Sequence, residues 1–175
     1  DTNAVTVSVS SATLTLTPNA NWNGVANITA YASDGSLKDS TTFTLTVTAI
    51  NDAPVITAVS NESTNEETEK SIVLSASDVD GDVLTYSASS DTSAVTTTVS
   101  TNTLKLTPAL NYIGTSVITV IVSDNALTDT SKFDFKVINV NDAPVITAVA
   151  NDTTSEGSDG KALKLSASDI DGDAL

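Results

Sequence analysis

Short runs of alternating apolar and polar residues follow one another along the whole chain. Between residues 51 and 140 they lie, in order, at 54–59, 71–76, 83–88, 94–99, 103–107, 115–123 and 132–139. Alternation with a period of two is typical of β-strands that bury one face. Asn-Asp, Asp-Gly and Ser-Asp turns separate the runs at spacings of roughly 8–12 residues. Since no helical period of useful length is present, the pattern predicts an all-β sandwich.

The sequence repeats itself with a shift of 90 residues, so the predicted architecture is a tandem array. The word NDAPVITAVS at 51–60 returns as NDAPVITAVA at 141–150. The same shift carries TLTLTPNANWNG at 13–24 onto TLKLTPALNYIG at 103–114. Seven strands in one such period match the size and strand count of an immunoglobulin-like domain. The chain is therefore predicted to consist of tandem seven-stranded β-sandwiches.

Three segments follow from the phase of this repeat. Residues 1–50 correspond to the C-terminal part of one repeat, residues 51–140 to one complete repeat, and residues 141–175 to the N-terminal part of the next. A partial sandwich leaves strand edges unpaired. Either the chain is a window of a longer array, or residues 141–175 of one molecule complete residues 1–50 of another by strand complementation, building a head-to-tail filament. Against the filament, that joint would lack a counterpart of residues 85–90.

Charge and composition narrow the classes of partner and activity. The chain has 22 acidic residues against 7 basic ones, all lysine, and a net charge of -15. Because a phosphate backbone is bound by clustered basic residues, nucleic acid is excluded as a partner. Histidine and cysteine are absent, which removes the commonest general base and any thiol nucleophile. We therefore expect no enzymatic activity, and no apolar run has the length of a membrane helix.

The acidic motif DVDGD at 78–82 is the main candidate for a functional site. In a strand, residues i and i+2 point to the same side, so Asp78 and Asp80 are expected to present both carboxylates to one point. Gly81 permits a turn that brings Asp82 to the same point. Three carboxylates so close repel one another unless a cation neutralises them, and Ca²⁺ suits an irregular set of oxygen ligands better than Mg²⁺ does. The simpler alternative is that Asp-Gly-Asp is only a hairpin turn.

Other acidic words favour the cation. DIDGD at 169–173 repeats the motif. The word NDAP stands at each boundary between repeats, and its proline begins a strand. Asp34 and Asp124 follow the long sixth strand and are expected to face the same end of the sandwich as DVDGD. Three acidic clusters at one junction are difficult to explain by solubility alone.

The chain resembles a known family over its whole length. The words NEETEKSIVLSASDVDGDVLTYS, TPALNYIGTSVITVIVSD and VNDAP, in this order and spacing, resemble the cadherin-like tandem repeats of very large bacterial surface proteins and adhesins. That resemblance implies an extracellular location at the cell surface and calcium between successive domains. The ligands it implies at one junction are Glu66, Asn51, Asp52, Asp78, Asp80 and Asp124. At the other junction they are Glu156, Asn141, Asp142, Asp169 and Asp171. Asp82 and Asp173 are additional candidates.

These observations predict a calcium-stiffened extracellular array that acts as a structural spacer or adhesive stalk of a bacterial surface protein. Its expected partners are neighbouring repeats of the same chain or of like molecules. One alternative is a module that binds polysaccharide or another cell-surface ligand, because Trp22 and Tyr112 occupy equivalent turns where an exposed aromatic ring could stack on a sugar. Packing over the end of the core is the simpler role for both rings. The other alternative is the head-to-tail filament subunit.

Overall fold

The structure is a computed structural model that describes residues 4–157 and 159–175. These residues form fifteen β-strands and no helix. Nothing in this described part of the chain is a helix long and apolar enough to cross a membrane. The prediction of an all-β fold is confirmed.

The first part of the chain forms two antiparallel hairpins. Their strands are β1 (Val5–Ser10), β2 (Thr13–Pro18), β3 (Gly24–Ser33) and β4 (Lys38–Val47), and β1 pairs with β2 and β3 with β4. The tight connection between β1 and β2 uses Ser11 at a φ of 54°, and Thr101 adopts the same φ in the equivalent turn of the next repeat.

A sandwich of two sheets follows. Its strands are β5 (Val55–Ile56), β6 (Glu62–Asn65), β7 (Lys70–Val73), β8 (Ala76–Ser77), β9 (Thr85–Ser90), β10 (Val95–Ser100), β11 (Thr103–Pro108), β12 (Gly114–Ser123) and β13 (Thr128–Ile138). One sheet has the order β10-β11-β7 and the other the order β6-β13-β12-β9, while β5 and β8 form a separate short pair. After the sandwich, β14 (Val145–Ile146) pairs with β15 (Ala167–Ser168) in the same way as β5 with β8.

The hydrophobic core lies between the two sheets. Alternation in β11, β12 and β13 directs every second side chain inward, as expected for strands with one buried face. The buried core residues are Ile56, Leu74, Val95, Leu104, Leu106, Ile118, Val120, Val122, Phe133, Phe135 and Val137.

Strand β6 was not predicted. Its sequence, Glu62–Asn65, contains no apolar residue, so it lacks the alternation by which the other strands were recognised. It lies at the edge of the four-stranded sheet and pairs in parallel with residues 135–138 of β13. Backbone pairing with β13, rather than side-chain burial, makes this segment a strand.

Equivalent strands of the two repeats pair in equivalent register but bury their side chains to different extents. Gly24 pairs with Val47 and Gly114 with Val137, a shift of 90 at both positions. Phe133 is 3% exposed, whereas Phe43, its counterpart 90 residues earlier, is 40% exposed. The hairpins of residues 5–47 have no second complete sheet against them among the described residues. Local pairing is therefore the same in both places, and burial is not.

Candidate metal centre

Asp78 organises the DVDGD loop through one carboxylate oxygen. Its Oδ1 accepts the backbone N–H groups of Asp80 at 2.8 Å, Gly81 at 3.1 Å and Asp82 at 3.4 Å. Gly81 has a φ of 80°, which glycine adopts without steric cost. Because the backbone curls around Asp78, one carboxylate oxygen from each of the three aspartates lies within 4.8 Å of the other two.

The three carboxylates converge for a different reason from the one predicted from the sequence. Strand β8 ends at Ser77 and residues 78–84 form a loop, so the expectation that strand geometry aligns Asp78 with Asp80 is wrong. The carboxylates converge because the N–H groups of the loop gather on Asp78. The other oxygen of that side chain, Oδ2, is buried and has no hydrogen-bond partner within the described residues.

The linker between the first and second repeats is tied to two loops of the second. Asn51 Nδ2 donates a hydrogen bond to Asp124 Oδ2 at 2.8 Å and another to the carbonyl oxygen of Asp52 at 3.1 Å. The backbone N–H of Asp52 donates to Asp80 Oδ2 at 2.8 Å. The structure thus brings the NDAP word, the DVDGD loop and the late aspartate to one end of the sandwich.

Asp124 is held in place and kept ionised by its hydrogen bonds. Its Oδ1 accepts the backbone N–H groups of Leu127 at 2.6 Å and Ala126 at 2.7 Å. Together with the Asn51 amide, these bonds lower the pKa of the Asp124 carboxyl, and the bond from Leu127 is the largest cause. Asp34, its counterpart in the first repeat, has a lowered pKa because Leu37 and Ser36 donate in the same way. Both aspartates are therefore negatively charged at neutral pH.

The second junction gathers carboxylates from three separate stretches of chain. Oxygens of Glu66, Asp142 and Asp171 lie within 4.8 Å of one another. Glu66 belongs to the complete repeat, Asp142 to the linker and Asp171 to the loop of the following repeat. The backbone N–H of Asp142 donates to Asp171 Oδ2 at 2.6 Å. Asp169 Oδ1 accepts the N–H groups of Asp171 and Asp173 at 3.0 Å and 3.3 Å, as Asp78 does in its own loop.

Glu66 is the central side chain of this cluster. It is 5% exposed, and its Oε1 accepts the backbone N–H of Val140 at 2.6 Å. Its Oε2 is buried without a hydrogen-bond partner among the residues described. A buried carboxylate oxygen with no donor is rare and requires a compensating group. A cation bound among these carboxylates would be such a group.

The assignment of Glu66 to the first junction is wrong. Strand β6 runs parallel to β13, and Glu66 follows β6 directly, so its backbone N–H donates to Ile138 O at 2.9 Å, at the far end of β13. Asn51 instead contacts Asp124, which precedes β13. The 11 residues of that strand separate the two ends by roughly 35 Å. The complete repeat at residues 51–140 therefore has acidic side chains at both of its ends.

The assignment of Glu156 fails for the same reason. Glu156 lies 90 residues after Glu66 and is its equivalent in the next repeat. Like Glu66, it is therefore expected at the opposite end of its own repeat from the acidic loop at residues 169–173. In the structure it is exposed, and the carboxylate group formed by Glu66, Asp142 and Asp171 does not include it. Asn141, the remaining candidate of this linker, donates through Nδ2 to the carbonyl oxygen of Asp142 at 3.1 Å.

One residue near this site was not singled out from the sequence. Asn111 lines a cleft that also includes Asp142, Ser168 and Asp169. Its φ is 55°, an uncommon value for a residue other than glycine. The sequence signal that could have identified Asn111 is the asparagine shared by the two NxxG turns. Its equivalent in the first repeat, Asn21, has a similar φ of 59°.

The aromatic residues of these turns pack inside their own repeats. Tyr112 is partly buried against the core, and its hydroxyl lies 3.2 Å from Oγ of Ser116, a fully buried residue. A Cβ added at Gly114 would lie 3.0 Å from the Tyr112 hydroxyl. Trp22 packs in the same way over Gly24 and against the cluster of the first hairpins. This geometry fits the packing role better than sugar stacking.

The chemistry of the two carboxylate groups fits a hard divalent cation. Both offer only carboxylate and backbone oxygens, which are the ligands that Ca²⁺ and Mg²⁺ take in proteins. The chain has no histidine or cysteine, so the nitrogen and sulfur ligands of softer transition metals are absent. Three mutually close carboxylates would also be destabilised by repulsion without a cation. The loop and linker irregularities suit the flexible coordination of calcium.

Comparisons with known proteins agree with the fold. Residues 51–136 match the family model of the bacterial Ig domain. A search of curated protein sequences finds no match. The EC3-6 cis-dimer structure of protocadherin gammaB7 aligns over 97% of this chain and 50% of its own, at 21% identity and a TM-score of 0.53. Human protocadherin-24 EC1-2 aligns over 69% of this chain and 61% of its own, at 29% identity and a TM-score of 0.45.

A hydrolase is also among the solved structures that align with this chain. An endo-fucoidan hydrolase of glycoside hydrolase family 107 aligns over 78% of this chain, at 21% identity and a TM-score of 0.40, but the chain spans only 22% of that protein's length. The similarity at the higher TM-score is to cadherin repeats and concerns the fold. Residues 51–136 are therefore similar to the bacterial Ig domain in sequence, and the fold of the chain is similar to that of cadherin repeats.

Proposed function

We propose that this chain is part of a calcium-stiffened extracellular repeat array, which serves as a structural spacer or adhesive stalk of a bacterial surface protein. Bacterial Ig domains are typically found at the surface, in extracellular proteins, and their fold is typically non-enzymatic. In such an array each folded repeat is one rigid unit. The stiffness of the whole then depends on the junctions between repeats.

The observation that carries the proposal is the cluster of Glu66, Asp142 and Asp171. Its three carboxylates come from one repeat, the linker and the next repeat. A cation bound to all three joins the two repeats directly, so that bending at the linker would require a ligand to leave. At the first junction, Asp78, Asp80 and Asp82 form the corresponding loop, with Asp52 and Asn51 attached to it and to Asp124.

Charge explains why the junctions would depend on the cation. A chain with a net charge of -15 repels itself, and the repulsion is strongest where carboxylates cluster. One Ca²⁺ offsets two of the three negative charges of the cluster and would be bound by the otherwise unsatisfied Oε2 of Glu66. Extracellular calcium modules bind with dissociation constants of about 10⁻⁴–10⁻³ M. Sites of that strength fill outside the cell and empty when calcium is removed.

Thermal unfolding of the whole chain, with calcium and with a chelator, tests the proposal. At free calcium about 100 times the dissociation constant, one site stabilises the folded state by about 2.7 kcal/mol. For a domain of this size that corresponds to a rise in Tm of roughly 10–20 °C. We expect this rise in the wild-type chain, and a smaller one in Glu66→Gln and Asp171→Asn, because each removes a charged ligand of the second junction and leaves the cluster of the first junction intact.

Glu67→Gln is the matched control. It makes the same chemical change one residue along, at an exposed side chain outside the carboxylate cluster, so its calcium response should equal that of the wild type. Equal calcium responses in Glu66→Gln and Glu67→Gln would contradict the proposed site. No response in the wild-type chain would reduce both clusters to acidic turns.

A further inference from the structure

Residues 141–175 contain the equivalents of two strands of the complete repeat that are not formed there. Residues 152–155 correspond to β6 and residues 161–164 to β7, yet neither stretch is a strand. In the complete repeat, β6 pairs with β13 and β7 pairs with β11. The neighbouring strands β14 and β15 do form, because they pair with each other. The two missing strands therefore correspond to those whose partners come from the second half of a repeat.

The same residues expose apolar side chains that the complete repeat buries, and we call residues 141–175 the donor segment. Ile146 and Leu165 are each 62% exposed, whereas their equivalents Ile56 and Leu74 are 8% and 1% exposed. Burial of such side chains is a major source of stability in a sandwich. The donor segment is thus a half of a core without its other half.

The hairpins of residues 5–47 show the complementary deficiency, and we call them the acceptor hairpins. Among the described residues, β2 pairs only with β1 and β4 only with β3, whereas the equivalent strands β11 and β13 each have a second partner. Those second partners are β7 and β6, the two strands that the donor segment does not form. Phe43 and Ala32 are exposed at positions where Phe133 and Val122 are buried in the complete repeat.

The donor segment and the acceptor hairpins of one molecule lie beyond opposite ends of the complete repeat. The linker before that repeat contacts Asp124, which precedes β13, and the linker after it meets Glu66, beside the far end of β13. The 11 residues of β13 separate these ends by roughly 35 Å. Within residues 4–175, a donor segment for the acceptor hairpins can therefore come only from a second molecule.

We propose that the donor segment of one molecule packs on the acceptor hairpins of a second copy of this chain, so that the two complete one sandwich. The contact joins two different surfaces, so each molecule uses one end for each neighbour and assembly proceeds head to tail. The complete repeat supplies the register. Residues 161–164 pair antiparallel with residues 13–16 of β2, and Lys164 lies opposite Thr13, as the equivalent residues of β7 and β11 do. In dilute solution the molecules separate, and the exposures given above apply.

The joint sandwich lacks one strand, and that strand is an outer one. The donor segment has no equivalent of β9, which lies at the edge of its sheet and pairs with β12 alone. The remaining strands correspond to β10, β11 and β7 on one side of the core and to β6, β13 and β12 on the other. Both inner layers are therefore present in the joint.

The joint also brings a carboxylate to the first junction. At the second junction, Glu66 meets one aspartate of the linker and one of the loop. Their equivalents at the first junction, Asp52 and Asp80, are joined by the same backbone hydrogen bond. Glu156 is the equivalent of Glu66, is exposed in the single molecule, and lies beside this pair in the joint. The role of Glu156 rests on the proposed calcium site, whereas the pairing of the two segments does not.

Single cysteines show which segments meet, because the chain has none of its own. Thr13→Cys and Lys164→Cys stand directly opposite each other in the proposed register, at a separation that a disulfide spans. Mixing these two variants under mild oxidation should give a linked pair, and neither variant alone should link to itself. Thr17→Cys is the matched control, since it lies on the same face of β2 and outside the paired residues. Equal linking of Lys164→Cys to both threonine positions would overturn the proposed pairing.

Analytical ultracentrifugation of the whole chain measures the association. Assemblies should grow with protein concentration, and Ile146→Gln should weaken the association by at least about tenfold, because it buries an amide in the joint core. Val145→Gln should leave it unchanged, since the equivalent Val55 is 62% exposed in the complete repeat. Both variants leave the core of residues 51–140 intact, so its urea transition should not move. Monomers at every concentration, or equal association of the two variants, would overturn the proposal.

Repeating the sedimentation with calcium and with a chelator tests Glu156. Both segments carry more acidic than basic residues, so a cation between them should favour association. We expect calcium to strengthen the association of the wild type and of Asp159→Gln, and to have a smaller effect on Glu156→Gln. Equal effects in these two variants would overturn the role of Glu156 alone. Titration calorimetry that detects no calcium binding would overturn the proposed function, while calcium-free association would still support the pairing.

Discussion

Replacing Phe133 and Phe43 by alanine, one at a time, measures what the second sheet contributes to the core. The two phenylalanines are 90 residues apart in the repeat, and each pairs with an isoleucine on the neighbouring strand, Ile118 or Ile28. Phe133 is 3% exposed and Phe43 is 40% exposed. The chemical change and its strand environment are thus matched, and the difference lies in tertiary packing.

The expected magnitudes follow from burial. Phe133→Ala removes a fully packed ring and leaves a cavity between two sheets, which typically lowers the free energy of unfolding by about 3–5 kcal/mol. Phe43 buries about three-fifths of its surface on one hairpin face. Complete burial of such a side chain is worth about 1.5–3 kcal/mol, so the partial burial corresponds to about 1–2 kcal/mol, without a cavity term because solvent can fill the space.

Urea unfolding of the whole chain, followed by far-UV circular dichroism, gives the comparison. We expect the midpoint of the main transition to fall markedly in Phe133→Ala and far less in Phe43→Ala, at an unchanged slope in urea. If Phe43→Ala is as destabilising as Phe133→Ala, the hairpins of residues 5–47 are packed as tightly as the sandwich, and the reasoning from burial fails.

Two further results are expected. Gly114→Ala should lower the free energy of unfolding by about 1–3 kcal/mol, because the added Cβ would lie 3.0 Å from the Tyr112 hydroxyl. In a double-mutant cycle, the same substitution should destabilise the Tyr112→Phe variant less than the wild type. An equal loss of stability in both backgrounds would refute the clash. The Ile56 N–H lowers the pKa of Asp129 below its ordinary value; the stability due to this aspartate is therefore complete above about pH 5 and is lost as the pH falls through the ordinary value of about 3.9 towards the lowered one. Unfolding between pH 5 and pH 3 should consequently be less pH-dependent in Asp129→Asn, and the same slope in both proteins would contradict this.

The acidic motifs of the site were predictable from the sequence, but the way in which they come together in space was not. DVDGD and NDAP were recognised because clusters of oxygen ligands stand out in a chain without histidine or cysteine. The aspartates that Glu66 meets could not be predicted from such motifs, because they depend on the direction in which β6 runs. A strand of four polar residues gives no periodic signal, and its parallel pairing with β13 places Glu66 beside Val140.

The sequence by itself determined the local structure: period-two alternation set most of the strands, turn residues set the hairpins, and the repeat set the equivalent registers of β3–β4 and β12–β13. These features depend on contacts between residues close in the chain. Only the tertiary structure decided which of the equivalent side chains are buried and which carboxylates meet. Phe43 and Phe133 each pair with an isoleucine on the neighbouring strand, yet Phe43 is 40% exposed and Phe133 is 3% exposed. Their burial differs because it requires a second sheet supplied by distant segments. Glu66 meets Asp142 and Asp171 for the same reason, since chain direction across a sheet is a property of the whole fold.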